Sequence, residues 1–227
     1  MQLIRTESPA QAAEIAAREI AAACREAVAQ RGRAVIAVSG GETPWLMLGQ
    51  LRSLDLPWNR TWVAQVDERV APRGDPRRNL TRLEQALVSG GLLPARQLLA
   101  MPVEAADLAA AAAEYQATLE ALAGRPLELD LVQLGLGTDG HTASLVPGDA
   151  VLEVADRDVA LCGEYQGLRR MTLAFPGLDR ARRRLWLVTG AAKAQRLREL
   201  LDGSGDGPAV RVARRDSLVV ADAAAAD

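Results

Sequence analysis

Leu129-Asp130-Leu131-Val132-Gln133-Leu134-Gly135-Leu136-Gly137-Thr138-Asp139-Gly140-His141-Thr142-Ala143-Ser144-Leu145-Val146-Pro147-Gly148 runs from an apolar segment through a glycine-rich turn into a polar loop. A short apolar run bounded by glycine reads as a strand buried on both faces, the kind found in parallel sheets. His141 follows at that strand's carboxyl end, two residues after Asp139, and is the only histidine among 227 residues. Imidazole titrates near neutral pH. A solitary one on a loop beyond a strand is a general-base candidate, with Asp139 as its neighbour. Taken as a single residue, His141 reads equally well as a structural or surface histidine.

Working outward, strand-like and helix-like segments alternate along the chain. Residues 2–6, 34–38, 61–66, 159–161, 171–174, 185–188 and 218–220 read as further strands. Residues 9–30, 43–53, 78–88, 105–123 and 191–201 read as helices, with Thr43 as an N-cap and Pro44 at the first helical position. This alternation predicts an α/β, Rossmann-like fold: a mostly parallel sheet flanked by helices on both faces. No repeat and no linker divides the chain, so residues 1–227 are expected to form one domain. The alanine-rich tail after residue 220 is expected to fray.

Composition narrows the function classes. Apolar residues make up 49% and charged residues 25%, as in ordinary globular chains. A net charge of −2 and 3% aromatics disfavour a nucleic-acid surface or a base-stacking platform. The cluster Arg180, Arg182, Arg183 and Arg184 reads as a solvated helix end. No apolar run is long enough for a membrane span, and the first residues lack a basic segment, apolar core and cleavage site. Cys24 and Cys162 are isolated, without metal-site spacing, and are expected to be reduced and buried in a cytoplasmic protein. A lone histidine is a poor start for a transition-metal site, so no metal and no cofactor are expected.

Three further segments could supply chemistry. Ser39-Gly40-Gly41-Glu42-Thr43-Pro44 joins a buried strand to a helix, and its glycines can present N–H groups where the helix dipole favours an anion such as phosphate. A plain tight turn would look the same, and no Walker lysine follows. Asp67-Glu68-Arg69 ends another strand, where open α/β sheets bind ligands; a solvated loop is the competing reading. Arg170 and Lys193 lie near strand boundaries from which cations could reach the same cleft.

Two competing motifs must be weighed. Gly135-Leu136-Gly137-Thr138-Asp139-Gly140 matches Gly-x-Gly-x-x-Gly, but a dinucleotide site wants the first βα turn and a long helix directly after it. Ala37-Val38-Ser39-Gly40-Gly41 approximates a nucleophile elbow, but some 86 residues follow His141, where a hydrolase histidine belongs near the end.

Together the segments resemble the 6-phosphogluconolactonase family. The resemblance rests on Ser39-Gly40-Gly41-x-Thr43-Pro44, Asp67-Glu68-Arg69-Val70-x-Pro72, Leu134-Gly135-x-Gly137-x-Asp139-Gly140-His141-Thr142-Ala143-Ser144-Leu145-x-Pro147-Gly148, Arg170-x-Thr172 and Gly190-x-x-Lys193-Ala194, in the family's order. It implies hydrolysis of 6-phospho-D-glucono-1,5-lactone, a small-molecule phosphosugar lactone, by water that His141 activates, with Asp139 either orienting the imidazole or holding the turn. It also implies a substrate pocket of Ser39, Gly40, Gly41, Thr43, Asp67, Arg69, Arg170 and Lys193, with no nucleic acid, membrane or obligate protein partner. Glucosamine-6-phosphate deaminases of the same superfamily share the glycine turn but carry a Phe-Asn-Glu segment after the histidine. Here Ser144-Leu145-Val146 offers no carboxylate. A non-catalytic phosphosugar-binding protein is the remaining alternative. The chain departs from the family at Arg78, where Ser is common before Asn, and at Val146, where Phe is common before Pro-Gly.

Overall fold

The computed structural model describes residues 1–227. Its strands are β1 (Gln2–Thr6), β2 (Ala34–Val38), β3 (Thr61–Gln65), β4 (Asp67–Arg69), β5 (Leu98–Leu99), β6 (Leu131–Leu134), β7 (Val159–Tyr165), β8 (Leu168–Leu173), β9 (Arg184–Val188) and β10 (Ser217–Asp222). Its helices are α1 (Pro9–Arg31), α2 (Glu42–Leu51), α3 (Asn79–Leu83), α4 (Leu108–Ala123), α5 (Phe175–Arg180), α6 (Ala194–Asp202), α7 (Pro208–Arg211) and α8 (Ala223–Ala226).

Seven strands form one sheet in the order β1-β10-β9-β6-β2-β3-β5, and every pairing in it is parallel. The central strands β2, β6 and β9 are buried at every residue, which accounts for their continuous apolar runs. Along β2, Val35 and Ala37 pack into one core while Ala34, Ile36 and Val38 pack into the other. The first core lies beneath α4, α6 and the carboxyl-terminal elements; the second is closed by α1 and α2. Helices thus cover both faces, as the alternating pattern predicts.

The long helix α1 follows from its ends and its stripe. Ser8 caps it by accepting from the Gln11 N–H, Pro9 opens it, and Gly32 ends it in the left-handed region at φ 76°. Its buried alanines, Ala12, Ala13, Ala16 and Ala17, bring the backbone close to the sheet.

The strands expected near residues 159 and 171 do not join the main sheet. With β4 they form a separate antiparallel sheet in the order β4-β8-β7. Only Val66 separates β3 from β4. Its N–H donates to Val38 in the large sheet, and its carbonyl accepts from Leu173 in the small one. The small sheet is therefore fastened at the carboxyl ends of the central strands.

Other expectations change in detail. The helix at residues 42–51 begins after Gly41, not Thr43. The Thr43 hydroxyl pairs with the Thr189 hydroxyl, 2.6 Å away, instead of capping the helix. The segment expected as one helix over 78–88 is α3 followed by a wider π turn, Glu84–Val88. The tail does not fray: Asp222 caps α8 and Ala225 is buried. The arginine cluster is only partly a solvated helix end. Arg184 is 1% exposed and donates to the carbonyls of Ala181 and Arg215, and Arg180 pairs with Asp158. Cys24 and Cys162 are free and buried.

Candidate active site

The chain starts the large sheet at one edge, jumps to β2, and runs outward through β3 to β5. It then returns to the other side of β2 at β6 and leaves in the opposite direction. The loops after β2 and β6 consequently diverge and open a crevice at the carboxyl ends, where open α/β sheets bind ligands. A cavity of about 370 Å³ occupies this place. A depression of about 430 Å³ at the other end of the sheet is lined by Arg182, Arg183 and Asp216. Those arginines are occupied by acidic neighbours, Glu128 and Glu26 among them, and none of the predicted site residues reaches it.

Ser39, Gly40, Gly41, Thr43, Asp67, Arg69, His141, Arg170 and Lys193 all line the crevice. Asp139 stands directly behind His141. The Asp139 Oδ1 lies 2.5 Å from His141 Nδ1 and also accepts the His141 backbone N–H at 3.1 Å. A hydrogen on Nδ1 facing that oxygen puts the lone pair of the neutral ring on Nε2. Burial pushes the Asp139 carboxyl up, but hydrogen bonds and charge from His141, with the Tyr165 hydroxyl, outweigh it and hold the carboxyl below the usual range. Gly137 makes room for this pair: a Cβ there would sit 2.1 Å from His141 Nδ1. That close approach, not a nucleotide, explains the second glycine of the Gly-x-Gly-x-x-Gly match. No helix follows Gly140.

On the facing wall, α2 directs its amino terminus into the crevice. The N–H groups of Gly40, Gly41, Glu42 and Thr43 have no acceptor within the chain, so an anion meets free donors and the positive helix end together. Gly41 adopts φ 131°, open to glycine, and a Cβ on Gly40 would strike the Asn79 amide at 1.9 Å. Lys193 borders the same space. Its burial holds the ammonium below the usual lysine value, and only the Asp139 charge opposes that shift. Ser39 is spoken for: its hydroxyl donates to the Gln133 carbonyl at 2.9 Å and its N–H to the Gln133 side chain at 3.0 Å. It ties β2 to β6 and is not poised as a nucleophile.

The third wall comes from the small sheet. Arg69 and Arg170 are cross-strand partners on β4 and β8. Burial, then the Arg69 charge, lowers Arg170 from its ordinary value. Asp67 offsets part of this repulsion, with its Oδ2 4.0 Å from Arg170 Nη1. Asp67 is itself fixed by the Ser144 hydroxyl at 2.6 Å and the Asn79 amide at 3.3 Å. Ala143, at φ 54°, turns the loop beyond His141 into that contact. Arg69 donates to the Asn79 Oδ1 at 2.7 Å. The middle residue of the triplet, Glu68, faces inward, fully buried, and accepts from the backbone N–H groups of Arg69, Asn79 and Leu80. It is an internal cap for α3 and not a ligand-facing acid. Arg78, the departure noted in the sequence, lies against Glu68 at 3.4 Å and Glu104 at 3.2 Å, and so belongs to this support. Asn79, Ser144, Thr189 and Tyr165 also shape the site. None has a local signal that isolates it, because each is recruited across the fold.

A parallel sheet whose switch point holds a capless helix end, three cations and a carboxylate-bound imidazole defines an α/β enzyme whose crevice suits an anionic substrate. Within that class, the chain belongs to the family of glucosamine-6-phosphate isomerases and 6-phosphogluconolactonase, whose model matches residues 7–220. It is 37% identical over 207 residues to a 6-phosphogluconolactonase of Rhizobium meliloti, covering 88% of this chain and 87% of that one. It is 36% identical over 185 residues to a 6-phosphogluconolactonase of Synechocystis, covering 80% and 77%. The fold matches a 6-phosphogluconolactonase structure from Thermotoga maritima at TM-score 0.85 and 23% identity, over 97% of this chain and 98% of that one. A monomeric glucosamine-6-phosphate deaminase matches nearly as well, at TM-score 0.83 and 21% identity over 100% and 99%. Shape alone does not separate the two activities.

Proposed function

We propose that this enzyme hydrolyses 6-phospho-D-glucono-1,5-lactone to 6-phospho-D-gluconate, the lactone-opening step of the oxidative pentose phosphate pathway. The observation that carries the reading is the Asp139-oriented imidazole of His141 facing the anion cradle at the α2 amino terminus. The names of the relatives support the lactonase over the deaminase, as does the absence of a carboxylate in Ser144-Leu145-Val146.

In the proposed reaction the phosphate rests on the free N–H groups at the α2 amino terminus, with Lys193 and Arg170 as its cations. His141 Nε2 takes a proton from water as the water oxygen bonds to C1. The C1 carbonyl becomes an oxyanion that backbone N–H groups of the glycine turns stabilise. Collapse breaks the bond from C1 to the ring oxygen, and the imidazolium returns its proton to that oxygen. The net change is addition of one water; the carboxylic acid formed at C1 then releases its proton to solvent as the product carboxylate. Asp139 holds the imidazole in the productive tautomer and stabilises its charge. Asp67 and Arg69 bind sugar hydroxyls. A cytoplasmic setting belongs to the same proposal, supported by the free buried thiols.

The test generates the lactone in place with glucose-6-phosphate dehydrogenase and follows its loss above spontaneous hydrolysis. Wild type accelerates the loss, and His141→Ala falls by about 10²- to 10⁴-fold, the range for a histidine base. Absence of acceleration by folded wild type overturns the reading. Turnover of glucosamine 6-phosphate would point to the deaminase, and phosphosugar binding without turnover to a non-catalytic protein.

A further inference from the structure

Tyr165 lies outside every motif of the sequence, yet it touches both halves of the chemistry. It closes β7 at the two-residue turn Gln166-Gly167, whose φ values of 53° and 77° suit a tight antiparallel hairpin. Its hydroxyl donates to Asp139 Oδ2 at 3.2 Å, while the other oxygen of that carboxylate holds His141. Its ring meets the imidazole edge to face, with centroids 5.4 Å apart at 65°. Arg170 lies over the same ring with Cζ 4.9 Å from the centroid.

These contacts matter because they join the turn that carries the imidazole to the small sheet that carries Arg170. The loop carrying Asp139 and His141 belongs to no sheet. Arg170 is 5% exposed, its Nε has no acceptor, and its nearest carboxylate oxygen is 4.0 Å away. The guanidinium returns to the hairpin tip through the Tyr165 carbonyl at 3.4 Å and the Gln166 side chain at 3.3 Å. A cation over an aromatic face is held by the ring's negative face. An edge-to-face pair likewise has a preferred geometry. From this arrangement we infer that Tyr165 is a positioning residue: it fixes the Asp139–His141 pair relative to Arg170, so that base and cation meet one substrate in register. The inference rests on the lactonase reading above.

The test uses Tyr165→Phe and Tyr165→Leu in the full chain, with two readouts. One is the split of kcat from KM for the phosphorylated lactone. The other is the NMR titration of the imidazole, unambiguous because His141 is the only histidine. The charged groups facing the pair are Asp139 on its own loop, Tyr165 and Arg170 from the small sheet, and Lys193 ahead of α6. Tyr165→Phe keeps the ring and removes the hydroxyl. Asp139 then bears more strongly on the imidazolium. The titration midpoint moves away from that of wild type, and kcat falls about three- to tenfold, with KM unchanged, as befits one hydrogen bond.

Tyr165→Leu removes the ring as well, so KM rises in addition because Arg170 loses its platform. A Tyr165→Phe protein with the wild-type midpoint and the wild-type kcat overturns the inference. A merely structural tyrosine would change thermal stability and leave both untouched. Should Tyr165→Leu fail to fold, Tyr165→Phe decides alone. Should wild type show no lactonase activity, the function fails independently, and the His141 titration still reports whether Tyr165 acts on the pair.

Discussion

Asp139 Oδ1 sits 2.5 Å from His141 Nδ1 and accepts the His141 backbone N–H as well, so one carboxylate oxygen fixes both the ring and the main chain of the same residue. Asp139→Asn replaces that acceptor with a neutral amide and leaves the imidazole uncharged-partnered. kcat is expected to fall by about 10- to 100-fold, the worth of a hydrogen bond to a charged group. The fall is smaller than that from deleting His141, and steady-state kinetics of the two variants side by side check the order.

Gly137→Ala tests the space behind the ring. The added Cβ would lie 2.1 Å from His141 Nδ1 and 2.5 Å from Asp139 Oδ1, a distance that forces one of them to move. Activity is expected to drop at least as far as in Asp139→Asn, because misplacement by about 1 Å can cost 10²-fold. The melting temperature stays near that of wild type, since the turn lies at the sheet's end. An active Gly137→Ala protein would refute the proposed geometry.

Lys193→Ala separates phosphate binding from chemistry. Loss of one charge-assisted contact is expected to raise KM for the phosphorylated lactone about 10- to 100-fold. The same variant should handle unphosphorylated gluconolactone as wild type does. Equal effects on both lactones would remove Lys193 from the phosphate site.

Glu68→Ala addresses support rather than chemistry. Glu68 is fully buried, accepts from three backbone N–H groups, and faces Arg78, itself 1% exposed at the side chain. Removing Glu68 leaves three backbone N–H groups without their acceptor and Arg78 with only the exposed Glu104 as a carboxylate partner, at about 3–5 kcal/mol. Urea unfolding should show that loss as a lower midpoint, whereas an unchanged midpoint would mean that Arg78 finds another partner.

Cys24 gives a pH signature. Burial first, then the Asp130 charge, pushes its thiol from 9.0 up to about 12. A raised folded value means that the folded state keeps the proton longer than the unfolded chain. The stability contribution is therefore complete below about pH 9 and is lost as pH rises toward 12. Native protein at pH 8 should resist a thiol reagent at Cys24 and react once unfolded; rapid labelling of the native state would contradict the burial.

Much of the fold could be read locally because its determinants are local. The uninterrupted apolar residues of β2 and β9 announce strands buried on two faces. Ser8, Pro9 and Gly32 delimit α1 by capping chemistry alone. The Asp139-Gly140-His141 turn and the Ser39-Gly40-Gly41 turn carry their own geometry, which is why the residues expected to meet there do meet. The errors arose where a second element outbid the local preference. Thr43 has the sequence of an N-cap, but its hydroxyl pairs with that of Thr189. Glu68 looks like part of a polar loop, but the N–H groups of Asn79 and Leu80 in α3, together with Arg78, draw it inside. Arg184 looks solvated, but carbonyls 3 and 31 residues away claim its guanidinium.

By itself the sequence determined the class of sheet, the two glycine turns, the imidazole and its neighbouring carboxylate, and the cations available for an anion. These depend on residue type and on spacings of a few positions, over which covalent geometry leaves little choice. Tertiary structure alone decided that β4, β7 and β8 form a second sheet, that Ser39 binds Gln133 instead of acting, and that Tyr165 joins Asp139, His141 and Arg170. Tyr165 and Asp139 are 26 positions apart, Ser39 and Gln133 are 94 apart, and β4 pairs with the still more distant β8. Only the packing of the whole chain selects among partners at that separation.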